Sequence, residues 1–173
     1  IRNPESDRPA LSPDVVQEMV LPILQSHGRA LFVVVDCLRL DQWEALVPLI
    51  TPFLDVETSH YFSILPTATP YSRNAIFAGL FPKEIAATHA AWWTENEDES
   101  LNAHEHDLLA KQLERLVGKP VPTRYEKIFG GSDPDELLRK LPTLLSQDGV
   151  TALVFNFVDQ LTHGRTENAI LLE

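Results

Sequence analysis

The sequence predicts an α/β fold: a mainly parallel sheet with helices on both faces. Three observations carry this. "RALFVVVD" (29–36) and "VTALVFNFVD" (150–159) are continuous apolar, β-branched runs without alternation. Such runs are typical of strands buried on both faces, as in parallel sheets covered by helices. Stretches with helical spacing of apolar residues lie between and around them, an alternation that builds helix layers on a parallel sheet. Both runs also end in an aspartate, Asp36 and Asp159, and open α/β sheets collect their functional groups at the carboxyl ends of strands.

The elements follow in order. "IRNPESDRPAL" (1–11) is polar and broken by proline, and reads as a linker arriving from an upstream domain, with the domain proper at 12–173. Ser12 is the expected N-cap of a first helix, Pro13 its first helical residue and Gly28 its stop, with a kink at Pro22. "LDQWEALVPLI" (40–50) predicts a helix, and "VETSHYFSIL" (56–65) a second strand. "PYSRNAIFAGLF" (70–81) predicts a helix ended near Gly79 and Pro82. "HAAWWTENEDESLNAHEHD" (89–107) is read as a long acidic loop. "HDLLAKQLERLVG" (106–118) is an amphipathic helix stopped by Gly118, and "DPDELLRKLPTLLSQDG" (133–149) another, opened by Asp133 and Pro134. "RTENAILLE" (165–173) begins a last helix.

Composition narrows the function classes. The chain has 173 residues, enough for one domain with a proper core, or most of one. No apolar run is long enough to span a bilayer and no signal-peptide pattern opens the sequence, so a cytoplasmic protein without membrane insertion is expected. Cys37 is the single cysteine, so no disulfide framework holds the fold. The net charge of −11 excludes a protein that coats nucleic acid through a basic surface. It does not exclude a phosphate-bearing substrate, because a metal held by acidic residues can supply positive charge locally.

Several residues have the chemistry for a site, and each also has a plainer reading. Asp36 is a metal ligand or the cap of the next helix. Asp159 and His163, four apart, can meet on one ion where a strand runs into a turn; otherwise they are a capping Asp and an exposed loop His. Thr67 and Thr69 follow "YFSIL". Thr69 precedes Pro70 and is a natural N-cap. The start of a helix also welcomes phosphate through free N–H groups, and a threonine hydroxyl there becomes a nucleophile if bound zinc lowers its pKa. Arg73, one turn on, could reach a phosphate oxygen, or lie on the surface. Trp92 and Trp93 are expected to bury themselves rather than stack a base. His104 and His106 are read as solvated or capping, and Cys37 as an inert core thiol.

The spacing of these residues resembles the alkaline phosphatase superfamily. In its nucleotide pyrophosphatases a PT-x-T segment precedes a helix ending in TGL-x-P, and "PTATPYSRNAIFAGLFP" (66–82) reads the same way. Thr69, Arg73 and Gly79 also keep the register of the sulfatase nucleophile with its arginine and glycine. "VVDCLRLDQW", "HAAWW", "HEHDLLAKQL" and "NFVDQLTH" are similar to the PglZ output domain of PorX-type response regulators. That resemblance implies an alkaline phosphatase-like fold and a zinc-dependent phosphodiesterase-like activity, with nucleotides as candidate substrates. It implies Thr69 as nucleophile, Arg73 on the phosphate, and two Zn2+ ions: one on Asp36 and Thr69, the other on Asp159 and His163. It places a receiver domain upstream, with a sensor kinase as partner and room for a homodimer, and ties the family to type IX secretion. The superfamily completes its metal site with an Asp-His pair and a further histidine beyond the Asp-x-x-x-His motif. The sequence ends ten residues after His163, so the expectation is the N-terminal part of such a domain, its sheet incomplete at the C-terminus. The alternative is a non-catalytic signalling module that regulates type IX secretion through partner contacts.

Overall fold

The structure, a computed structural model, describes residues 8–93, 102–129 and 134–167, with the backbone alone at 134 and 163–167. Residues 1–7 of the expected linker, the middle of the acidic loop (94–101), Asp133 and the tail from 168 lie outside the described residues.

Three strands form one parallel sheet: β1 (Arg29–Val35), β2 (Thr123–Ile128) and β3 (Gly149–Phe155), in the order β1-β3-β2. β3 is central and buried almost throughout, as its unbroken apolar run predicts. Val35 and Ile128 both stand opposite Phe155, so the three strands end level. β1 departs from the expected burial on both faces: Leu31 is 42% exposed and Val33 46%. β2 was not expected. "TRYEKI" carries three charges, and it becomes a strand by pairing with β3, which puts Tyr125 against Phe77 of the core.

The strand expected at 56–65 does not form. Its only pairing among the described residues is a bridge between Leu11 and Phe62, with the Phe62 N–H donating to Ala10 O at 2.8 Å. The segment has aromatic and β-branched residues, but Phe62 is 65% and Leu65 86% exposed, and Ile64 alone enters the core. Without a buried face, strand propensity has nothing to act on.

The helices flank the sheet. A 3-10 turn (Ser12–Asp14) and a π-helical stretch (Val16–Val20) lead into α1 (Leu21–His27). The distortion expected at Pro22 is this π stretch just before it, since Pro22 has no N–H to close a regular turn. Leu11, not Ser12, takes the N-cap place, and the Ser12 hydroxyl instead accepts the Ile64 N–H at 3.1 Å. Gly28 ends α1 in the left-handed region, φ 73°. α2 (Leu40–Ile50) forms as expected but buries no residue. α3 (Thr69–Ala78), stopped by Gly79, and α5 (Glu105–Val117), stopped by Gly118, pack together, and α4 (Pro82–Thr88) follows α3. Phe77, Ile85, Leu109 and Leu113 from these helices meet Val16, Val150 and Val154 in the core. α6 (Pro134–Leu145) precedes β3. α7 (Phe157–Glu167) starts well before the helix expected from 165. No helix among the described residues is long and apolar enough to cross a membrane.

Candidate functional site

Level strand ends bring the site together. β1 stops at Val35, and the Asp36 N–H donates to Phe155 O at 2.9 Å, so Asp36 sits on the lip of the sheet. Cys37 then turns the chain away with φ 59°, a left-handed conformation that a side chain adopts at a cost of about 1 kcal/mol. It is exposed, so the expected core thiol is corrected: the strand has already ended, and the Cys37 Sγ donates to Asp159 Oδ1 at 2.9 Å. Partial burial of the sulfur, and then the adjoining Asp159 carboxylate, push this thiol up to about 12.

Thr69 is the first residue of α3, with Ala68 at the N-cap, and its hydroxyl makes no cap hydrogen bond. The N-cap reading is therefore corrected. Thr69 Oγ1 turns toward Asp36 and donates to Oδ2 at 3.4 Å. The free N–H groups expected at this helix start are also fewer than predicted. Pro70 has none, and the N–H groups of Tyr71 and Ser72 both point at Ala68 O, at 3.0 Å each. Thr67 does not line the cleft; its carbonyl accepts from Ser72 Oγ.

Arg73 is not a surface arginine. It is 4% exposed, with Nη1 donating to Asp36 Oδ2 at 2.7 Å and to Asn156 Oδ1 at 3.2 Å. Its Nε binds Glu105, which is fully buried. Glu105 also accepts from Asn102 Nδ2 at 2.7 Å and from the Tyr125 hydroxyl. Burial, reinforced by Glu105, holds the Tyr125 phenol well above its ordinary range. Burial likewise raises the Asp36 carboxyl, with Arg73 opposing and the negative charges of Asp159 and Glu105 adding to the rise.

Asp159 is displaced from the expected strand end: β3 stops at Phe155, and Asp159 is the third residue of α7. It still reaches the same place. Asp36, Thr69, Arg73, Lys127, Asn156 and Asp159 line one cleft of about 300 Å3 at the carboxyl end of the sheet. His163 falls in α7, one turn beyond Asp159, and its side chain lies outside the described residues. A larger hollow, about 440 Å3, opens among Ile23, Arg29, Leu31 and Leu145 near the amino ends of β1 and β3, and no acid, histidine or cysteine lines it.

A helix–strand sandwich with a hydroxyl, two aspartates and a buried arginine at its strand ends is the setting in which the comparison with known families falls. The family model for the BREX system PglZ alkaline phosphatase-like domain matches residues 15–173. The chain belongs to this family. Among curated proteins none matches it. The match is to the PglZ domain as such and carries no evidence for PorX-type proteins in particular.

The alkaline phosphatase superfamily is commonly metal-dependent. In this PglZ domain the described donors fit part of such a centre. Asp36 and Asp159 bring two carboxylates close enough that the charge of Asp159 raises the pKa of Asp36, a repulsion that a divalent cation would relieve. Thr69 supplies a neutral oxygen beside them. Among the described residues no three His, Cys, Asp and Glu side chains converge as a ligand set.

The remaining candidates lie outside the cleft. Trp92 and Trp93 are half-buried against the core, as expected. Trp92 stacks between His89 and His104, at 4.8 and 5.8 Å between ring centres. His104 Nδ1 lies 3.1 Å from Asp107 Oδ2, and His106 Nε2 3.0 Å from Thr123 O. Glu105, Tyr125, Asn156 and Lys127 escaped the sequence reading. Glu105 sits in an acid-rich stretch and reads as solvated, and the others carry no spacing signal.

Proposed function

We propose that this PglZ domain carries a zinc-dependent phosphodiesterase site in which Thr69 is the nucleophile. The observation that supports it best is the Thr69 hydroxyl. It sits at a helix start, where capping is its ordinary use, and instead points at the carboxylate of Asp36 inside the cleft. The Asp36 carboxylate accepts a hydrogen bond from that hydroxyl and so orients its oxygen in the cleft, and the hydroxyl proton would pass to solvent once a bound metal has lowered its pKa. Thr69 Oγ then forms the new bond to phosphorus as the bond to the leaving oxygen breaks; the leaving alkoxide takes a proton from water, and water then hydrolyses the phospho-threonine ester. Arg73 keeps Asp36 aimed at Thr69 through Nη1. Asp36 and Thr69 would hold one Zn2+, and Asp159 with His163 a second. When bound, the metal lowers the pKa of the attacking oxygen and neutralises charge on the phosphoryl group.

The wider setting is part of the same proposal. The resemblance of "VVDCLRLDQW" and "NFVDQLTH" to PorX-type proteins supports an output domain of a two-component response regulator, downstream of a receiver domain and tied to type IX secretion in the cytoplasm. Nucleotides are the substrates this setting favours, and a homodimer is compatible with it. A second reading, a binding module that works through partner contacts, is favoured by α2. Leu40, Leu46 and Leu49 on that helix are 57%, 41% and 68% exposed.

The test is hydrolysis of bis(p-nitrophenyl) phosphate against its monoester by the zinc-loaded full-length protein, beside Thr69→Ala and Asp36→Ala. Diester turnover that falls to background in both variants is expected. Undiminished turnover in Thr69→Ala removes the threonine nucleophile. No turnover in the zinc-replete wild type favours the binding module.

A further inference from the structure

We propose that Lys127, rather than Arg73, is the cation that receives the anionic phosphoryl group of the substrate, and that Arg73 is a positioning residue. This rests on the phosphodiesterase reading and deepens it. The charges around the cleft make the case. Arg73 is bracketed by two carboxylates, Asp36 on Nη1 and Glu105 on Nε. One guanidinium between two carboxylates leaves net negative charge, and Asp159 adds more. Arg73 Nε and Nη1 are thus already committed within the protein, at the residue that spacing assigns to bind phosphate. At the start of α3 Pro70 has no N–H, and the Tyr71 and Ser72 N–H groups are turned onto Ala68 O.

Lys127 has the opposite character. It stands one residue before the carboxyl end of β2, opposite Val154, and lines the cleft with Asp36 and Thr69. Side chains alternate along a strand, so Lys127 shares a face with Tyr125, whose hydroxyl reaches the Glu105 beneath Arg73. Lys127 continues that row toward the strand ends. Among the described residues no carboxylate pairs with it. Its ammonium instead rests 5.5 Å from the ring centre of Phe129, itself 49% exposed. A cation over an aromatic face is steadied without being neutralised, and an ammonium keeps donors for an oxyanion. Phosphate oxygens in the cleft are the chemistry that uses it.

The test is titration of inorganic phosphate into the zinc-loaded full-length protein at two salt concentrations, for wild type, Lys127→Met and Lys127→Arg, with melting temperature and metal content measured alongside. Lys127→Met is expected to weaken phosphate binding by about tenfold or more, the scale of one lost charge-assisted hydrogen bond. It should also flatten the salt dependence, while Lys127→Arg stays within about threefold of wild type. Melting and metal content should be unchanged in both. Wild-type affinity and salt dependence in Lys127→Met overturn the assignment and leave the phosphodiesterase reading standing. A zinc-loaded wild type that binds no phosphate overturns both.

Discussion

Replacing Glu105 with glutamine removes one negative charge, keeps two of its three hydrogen bonds in direction and reverses the third. Oε1 can go on accepting from Arg73 Nε and from Asn102 Nδ2, and the new amide can donate to a reoriented Tyr125 hydroxyl. What is lost is half the counter-charge of a guanidinium that is 4% exposed. Asp36 remains on Nη1 at 2.7 Å, so Arg73 is not stranded. The expected cost is about 1–2 kcal/mol, below the ~3–5 kcal/mol of a buried charge left unpaired. Glu105→Ala is a different perturbation. It orphans Arg73 Nε, Asn102 Nδ2 and the Tyr125 hydroxyl and opens a cavity beside Tyr125, so it should cost the full ~3–5 kcal/mol. For a chain of this size each kcal/mol moves the melting temperature by about 2–4 °C. Calorimetry of the full-length protein should therefore place Glu105→Gln roughly 2–8 °C below wild type and Glu105→Ala about 6–20 °C below. Equal melting of the two variants would refute the reasoning, since it would mean that the hydrogen bonds at Glu105 carry no weight beyond its charge. Wild-type melting of both would remove the network altogether.

Two further outcomes are expected. Gly149 has φ 97°, and a Cβ there would meet the backbone carbonyl of Pro122, which cannot swing aside as a side-chain tip can. Gly149→Ala should cost more than about 1 kcal/mol and lower the melting temperature, whereas wild-type melting would show that β2 and β3 yield freely at their amino ends. His89 is held below its ordinary value of 6.5 by burial, then by Arg115 and Lys111. Below that value the unfolded chain binds a proton that the folded ring resists, so stability is lost as the pH falls. Melting between pH 7 and pH 5 should drop less in His89→Gln than in wild type, and an equal drop would contradict the assignment.

What was legible in the sequence is what local pattern decides. β3, α3 and α5 follow from an apolar run or a helical period with a glycine stop, signals complete within each segment. β2 was not legible because "TRYEKI" has no apolar alternation; its strand is made by β3, more than twenty residues later. The reverse error at 56–65 has the same cause, since propensity was present and a pairing partner was not. In the site, Asp36, Thr69 and Asp159 were legible as chemistry at strand and helix ends, and the cleft does gather them. Their exact stations were not, because Asp159 depends on where β3 stops and α7 starts, and one helical turn shifts it from strand end to helix. Arg73 was legible as a residue near Thr69, yet its burial depends on Glu105, which lies 32 residues away in an acid-rich stretch.

The Arg73–Glu105 pair also bears on why the site sits where it does. A buried ion pair is weak evidence for stability, because well-packed apolar residues of similar size often do as well. Phe77, Leu109 and Leu113 show that α3 and α5 already have an apolar seam. The polar end of that seam is the one under Asp36, and there the network does what apolar residues cannot. It carries a fixed charge from Glu105 through Arg73 to Asp36, and so sets the direction of the carboxylate that faces Thr69. Burial raises the proton affinity of Asp36, and Arg73 restrains the rise. Arg73 is thus explained by what it does to Asp36, while Lys127 lines the same cleft from another strand with no carboxylate paired to it among the described residues.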